Sequence, residues 1–233
     1  MNNINREYES FVRIVCNDSP YAIKDYFMEQ DVKELFIDVY NNVIKQHSKI
    51  RDKYYSKNGK GIINMLFLDH YLILCYRFAN ALFRKDKFDI QLLDAIYYSS
   101  KIRTSADLFY NASIGDYFLP THPLGTIITS QSTYGKCFKV YGSVLIGPLE
   151  QPFPYSDKKA SDTPKPVIGD GVIVFNHAKI LGNSIIGNNV TISAGCVIQN
   201  REIPDNTLAM IDQPSGRLVL LPNKSNNLSI LRK

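Results

Sequence analysis

The chain contains four histidines, and one of them, His122, stands in FLPTHPLGTIIT at residues 118–129, among small and apolar residues with little else that titrates. An imidazole titrates near neutral pH, so a positioned histidine can take a proton from a reacting hydroxyl. The same residue beside prolines also suits a turn, and both readings stand at this point. His47 and His70 fall on helical patterns and read as structural. Cys16, Cys75, Cys137 and Cys196 lie about sixty residues apart, with no CxxC pair and no metal-ligand spacing. They read as reduced, mostly buried thiols.

Proline and glycine divide the elements that must hold these groups. Before residue 115 there are only Pro20, Gly59 and Gly61, whereas ten prolines and eleven glycines follow. Stretches without breakers favour helices, and dense breakers favour turns and short strands. SPYAIKDYFMEQ opens with Ser19 as an N-cap and Pro20 at the first helical position. VKELFIDVYNNVIKQHSKIRDKYY carries Leu35, Val39, Val43 and Ile44 at helical spacing. SKNGKG breaks the chain before an apolar helix over 62–83, and a last helix covers 90–100. Asp69, His70 and Arg77 inside the apolar window are costly in lipid, so the window reads as a buried helix.

The second half repeats. From Ile168 it divides into IGDGVI, VFNHAK, ILGNSI, IGNNVT, ISAGCV and IQNREI. An aliphatic residue opens each six, and a mostly small residue follows four later. That fits a three-sided coil whose stacked turns share one continuous core. Ile114, Ile128, Val140 and Ile146 extend the pattern upstream. Residues 147–166, with five prolines and mixed charge, break the period and read as a protruding functional loop.

The chain has 233 residues, 45% hydrophobic and 21% charged, with a net charge of +5. This is an ordinary globular composition. Its basic residues are scattered, which argues against a nucleic-acid face. The N-terminus lacks the basic and apolar regions of a signal peptide, so a cytoplasmic location is expected.

A helical domain followed by hexapeptide coils resembles the serine acetyltransferase group of the left-handed parallel β-helix acyltransferases. DLFYNASIGDYFLPTHPLG, residues 107–125, is similar to the group's catalytic segment. VYGSVLIG at 140–147 is similar to the strand and turn beside its acetyl group, and AKILGNSIIGNNVTISAGCVI at 178–198 to its cofactor coils. The resemblance spans about residues 65–215. It implies an α + β fold, with an all-helical domain over 1–105, a left-handed parallel β-helix over 106–215 and a C-terminal tail over 216–233. It implies acetyl-CoA as donor, no metal, and a homotrimer with sites between subunits. A higher oligomer through the helical domain is also open.

In that frame His122 is the catalytic base and Asp107 the carboxylate that orients it. Ser143 and Gly147 lie beside the acetyl group. A backbone N–H near Gly142–Ser143 is the candidate oxyanion donor. Ala178, Ser193, Ala194 and Gly195 let the pantetheine arm approach. Asn176 and His177 stand where the group has Ala and Gly, and His177 either narrows the channel, adds a contact or is simply exposed. Lys224 or Lys179 either meets the phosphates or is a solvated surface charge. Acceptor contacts fall on Thr121, Asp162, Thr163 and Asn58.

Three departures bear on the acceptor. Thr121 replaces an aspartate. In DTPK, residues 162–165, Asp162 replaces the arginine that pairs with a serine carboxylate, and Thr163 replaces a histidine. Aspartate repels a carboxylate. The expectation is therefore an acetyl-CoA-dependent O-acetyltransferase acting on a carbohydrate hydroxyl of a surface polysaccharide or its precursor. The alternatives are serine O-acetyltransferase and a non-catalytic trimeric scaffold. A metal-dependent hydratase on the same coils needs more histidines than His122 and His177 provide. The ending LSILRK lacks the isoleucine of members that dock into cysteine synthase, so that complex is not expected.

Overall fold

The computed structural model describes residues 3–85, 89–149 and 164–232. They form two compact units, Met1–Asn111 with Leu231–Lys233, and Ala112–Ile230.

The first unit is built on helices α1 (Asn3–Asp18), α2 (Gln30–Lys49), α3 (Leu68–Lys85) and α4 (Ile90–Thr104). Tyr8, Phe11 and Val15 make one apolar stripe on α1. Phe11, Phe36 and Phe78 are fully buried and meet at ring-centroid distances of 5.0, 5.3 and 5.7 Å. The chain thus enters a helix earlier than Ser19. Ser19 does not cap a helix: its Oγ accepts from the Tyr21 N–H at 3.1 Å, a local turn just after α1. Pro20 cannot donate to a helical ladder, and only a 3-10 turn, Asp25–Met28, follows before α2. Asp89 caps α4 by accepting from the Gln91 N–H at 2.7 Å. No helix among the described residues is long and apolar enough to cross a membrane.

SKNGKG forms a hairpin of β1 (Ser56–Lys57) and β2 (Lys60–Gly61). Asn58 and Gly59 take φ of 51° and 74°, the paired left-handed conformation of a two-residue hairpin turn. The chain's last residues join this unit: Arg232 Nη2 donates to Ser56 Oγ at 2.9 Å and Ile50 bridges Leu231.

His47 and His70 are buried together, ring centroids 5.0 Å apart. His47 Nδ1 bonds the Ile62 carbonyl at 2.6 Å, and His70 Nδ1 accepts from the Asn64 N–H at 3.0 Å. Burial pushes both imidazoles down to about 4, with His47 adding to the shift at His70 and the Ile62 carbonyl opposing it at His47. Between that value and the ordinary value of about 6.5, the unfolded chain binds more protons than the folded one. Stability present above pH 6.5 is therefore lost as pH falls toward 4, at up to about 1.4 kcal/mol per pH unit per histidine. Urea midpoints at pH 7 and pH 5 check this, and a flat profile contradicts it.

The second unit is a parallel solenoid with three faces. Its first sheet is β4 (Ser113–Ile114), β7 (Thr133–Tyr134), β10 (Val167–Ile168), β13 (Ile185–Ile186) and β16 (Glu202–Ile203). The second is β5 (Leu119–Thr121), β8 (Lys139–Tyr141), β11 (Ile173–Val174), β14 (Thr191–Ile192) and β17 (Thr207–Ile211). The third contains β6 (Ile127–Ile128), β9 (Leu145–Gly147), β12 (Lys179–Leu181) and β15 (Val197–Gln199). The six aliphatic residues that open the repeats, Ile168 to Ile198, are at most 2% exposed, so all point inward. The 216–233 stretch expected as a tail instead supplies β18 (Leu218–Pro222), antiparallel to β17. It covers the solenoid's last edge.

Gly115, Gly135, Gly169 and Gly187 occupy one position of successive coils, each just after an inward residue. A Cβ on Gly169 would lie 2.8 Å from the Gly187 carbonyl group, closer than a methyl tolerates. Beside them runs a ladder of side chains. Asp170 Oδ1 accepts from the Lys136 N–H at 2.7 Å, Asn188 Oδ1 from the Asp170 N–H at 2.9 Å, and Asp205 Oδ1 from the Asn188 N–H at 2.6 Å. The Asn188 N–H and its side-chain amide hold the Asp205 carboxyl below its ordinary value. Gly169→Ala forces coils apart and is expected to destabilise the solenoid by about 1–3 kcal/mol, read as a lower thermal midpoint.

Candidate functional site

Each coil turns from the second sheet into the third through a residue in the left-handed conformation: His122 (φ 48°), Ser143 (59°), His177 (63°) and Gly195 (73°). Left-handed backbone costs an L-residue about 1–2 kcal/mol, and histidine tolerates it better than most. The turn reading and the chemical reading of His122 are therefore compatible. It is a corner residue, and its imidazole is exposed.

That corner is wider than those below it. Leu119 to Ile127 is eight residues, whereas Lys139 to Leu145, Ile173 to Lys179 and Thr191 to Val197 are six. The two extra residues form a turn through Pro123 and Gly125, closed by the Thr126 N–H donating to the Pro123 carbonyl at 3.0 Å. Thr126 Oγ1 then donates to the Tyr141 carbonyl at 2.9 Å.

The corners stack. The Ser143 N–H donates to the Leu124 carbonyl at 2.8 Å, the His177 N–H to Gly142 at 3.4 Å and the Gly195 N–H to Asn176 at 3.0 Å. A Cβ on Gly142 would lie 2.5 Å from the His122 carbonyl oxygen, so glycine permits this approach. Thr121, His122, Ser143, Asn176, His177, Ser193, Ala194 and Gly195 thus gather along one edge of four coils. Asn176 and His177 are exposed there, as are Ala194 and Gly195.

Within the solenoid, Ala178, Gly147, Lys224 and Lys179 lie away from this edge. Ala178 is fully buried and faces the solenoid core, because it holds the small inward position of its repeat. Gly147 sits within β9, where a Cβ would strike the Thr129 side chain. Lys224 belongs to the segment after β18. That segment packs on a different corner, with Asn223 Nδ2 donating to the Asn189 carbonyl at 2.9 Å and Asn227 Nδ2 to Gly171 at 2.8 Å. Lys179 projects outward from the third sheet. Asn58 is the hairpin-turn residue of the helical unit. Asp107 also belongs to that unit, on β3 (Asp107–Leu108), and its carboxylate accepts from Tyr97 Oη and from Lys101 Nζ at 2.5 Å. Asp162 and Thr163, with most of the 147–166 loop, lie outside the described residues. The Ser143 N–H is committed to Leu124, which removes it as an oxyanion donor.

One feature of this edge escaped the sequence reading. Tyr141 and Phe175, each the last residue before its corner, stack with ring centroids 4.9 Å apart and planes 12° apart. Lys139 Nζ lies 5.1 Å from the Tyr141 ring centroid. Aligning the two repeats on their corner residues would have shown both rings at one position. Among the described residues, no cluster of three or more His, Cys, Asp or Glu is arranged to hold a metal.

The bacterial transferase hexapeptide (six repeats) family matches residues 165–200. A serine acetyltransferase of Synechococcus elongatus is 26% identical over 149 residues, 64% of this chain and 56% of that protein. The chain therefore spans little more than half the length of that relative. Serine acetyltransferase 1 of Entamoeba histolytica, solved with L-cysteine, superposes with a TM-score of 0.65 at 20% identity, over 89% of this chain and 76% of that one. The serine acetyltransferase of Brucella abortus, solved with coenzyme A, gives 0.67 at 18% identity, over 93% and 82%. The two structures share the fold, a helical domain followed by a left-handed β-helix. These findings overturn the carbohydrate acceptor inferred from the missing arginine, since the relative and both solved neighbours are serine acetyltransferases. Over residues 165–200 the chain matches the hexapeptide-repeat transferases, and its fold is that of the solved serine acetyltransferases.

Proposed function

We propose that this chain is a serine O-acetyltransferase that takes its acetyl group from acetyl-CoA and acts as a homotrimer. The observation that carries the reading is the agreement of sequence relatives and structural neighbours on serine acetyltransferase, joined to an exposed histidine at the corner where the catalytic segment falls. His122 takes the proton of the serine hydroxyl as that oxygen attacks the thioester carbonyl. The tetrahedral intermediate then collapses, breaking the carbon–sulfur bond. The imidazolium returns its proton to the departing thiolate, leaving O-acetylserine and coenzyme A. Positioned base catalysis of this kind contributes about 10²–10⁴-fold.

The rest of the edge serves the donor. Ser193, Ala194 and Gly195 carry little side-chain bulk, which favours close approach of a pantetheine chain to the backbone. Coenzyme A release from acetyl-CoA with L-serine tests the reading. Serine-dependent turnover is expected, and none at millimolar serine overturns it. Asp107→Asn in the same assay measures the role that the resemblance gives to that carboxylate.

A further inference from the structure

The serine reading leaves a substrate carboxylate without its usual arginine, since Asp162 stands at that place in the sequence. We infer that Lys139 supplies the missing positive charge and binds the α-carboxylate of the amino acid acceptor. This rests on the serine acetylation proposed above.

Three observations place the lysine for the task. Lys139 opens β8 on the second sheet's outer face, where its Cα partners are Leu119 and Ile173. Tyr141, two residues on and about 7 Å along the strand, is the partner of Thr121, which directly precedes His122. The ammonium lies 5.1 Å from the Tyr141 ring centroid, so the side chain leans along the strand toward the His122 corner.

The second observation is the support beneath that charge. Tyr141 is stacked on Phe175, and a two-ring platform holds the flexible lysine stem in one direction. The face of an aromatic ring attracts a cation without neutralising it. The charge therefore stays available to an anion arriving from solvent. Thirdly, Lys139 is in neither of the ion pairs seen among the described residues, Lys101–Asp107 and Arg103–Asp18.

A short zwitterion has its carboxylate close to its hydroxyl, so a cation near the base serves both ends of one substrate. Lysine is a point charge and does not reproduce an arginine fork. The prediction is thus an electrostatic anchor for one carboxylate, with Thr121 beside it and His122 at the hydroxyl.

The test compares steady-state kinetics of wild type, Lys139→Met and Lys139→Arg with L-serine and with L-serinamide, which lacks the carboxylate charge. Lys139→Met is expected to raise KM for L-serine about 10–100-fold, the usual worth of a hydrogen bond to a charged group. Its kcat stays within about twofold. KM for acetyl-CoA is unchanged, and so is KM for serinamide. Lys139→Arg restores most of the loss. An unchanged serine KM in an active Lys139→Met enzyme overturns the inference alone. A raised acetyl-CoA KM in its place assigns the lysine to the donor's phosphates and also overturns it. Wild-type enzyme that turns over no serine overturns the acetylation reading and this inference with it.

Discussion

On the proposed serine acetylation, His122→Ala is expected to lower kcat by about 10²–10⁴-fold and to change the melting curve little. A serine hydroxyl is a poor nucleophile at neutral pH, and the exposed imidazole is the candidate base at this corner. The fold does not need the ring. His122 contributes its backbone to the corner and its side chain is exposed. The left-handed φ of 48° does bear on the choice of variant. Alanine there carries strain that asparagine tolerates better, so His122→Asn is the companion variant. Both are expected to lose kcat with little change in KM for acetyl-CoA. Retained turnover in either one removes the mechanism. A loss confined to KM makes the histidine a binding group only.

Phe36→Ala destabilises the helical unit by about 3–5 kcal/mol, the range for a large buried aromatic. Phe36 is fully buried and lies within 5.0 Å of both Tyr8 and Phe11, and 5.3 Å of Phe78, measured between ring centroids. Three helices therefore converge on one side chain, and none can move into the space without leaving its other contacts. The loss approaches the whole stability of many domains. The check is a urea titration, read as a fall in midpoint with an unchanged slope. Phe36→Leu, which keeps most of the volume, is expected to cost less than half as much. A Phe36→Ala midpoint within error of wild type would mean that the aromatic cluster carries little of this unit's stability.

The solenoid was legible because its signal is local and redundant. Each inward aliphatic sits six residues from the next, and a miss at one place is covered by the others. The glycines at 115, 135, 169 and 187 follow the same rule, since one coil's backbone lies against the next at that position. The first helix was less legible. Its stripe of Tyr8, Phe11 and Val15 is short, and the cap-like pair Ser19–Pro20 drew the helix start downstream, where it marks a turn after α1. The strand within the 216–233 tail was not legible, because nothing local in LVLLP names the strand it pairs with.

The site divides in the same way. His122 and the Ser193–Gly195 run are candidates from their neighbours in sequence, and the coils bring them to one edge. Ala178 was misassigned because a small residue can serve an open channel or a crowded core, and only burial separates the two. Lys224 was assigned by charge, and the tail carries it to another corner. The missing arginine was read as the loss of a carboxylate acceptor. That inference assumed that charge can enter the site from one loop only.

The sequence by itself determined the repeat, its inward residues, its breakers and the identity of the candidate base, all of which depend on spacing within a few residues. The tertiary structure decided what shares an edge. Tyr141 and Phe175 are thirty-four residues apart in the chain, and the stretch between them includes an insertion that breaks the period. Parallel register between coils brings those rings into contact, with Lys139 over one of them. Contacts of that kind are set by hydrogen bonds between coils, and a one-dimensional period does not contain them.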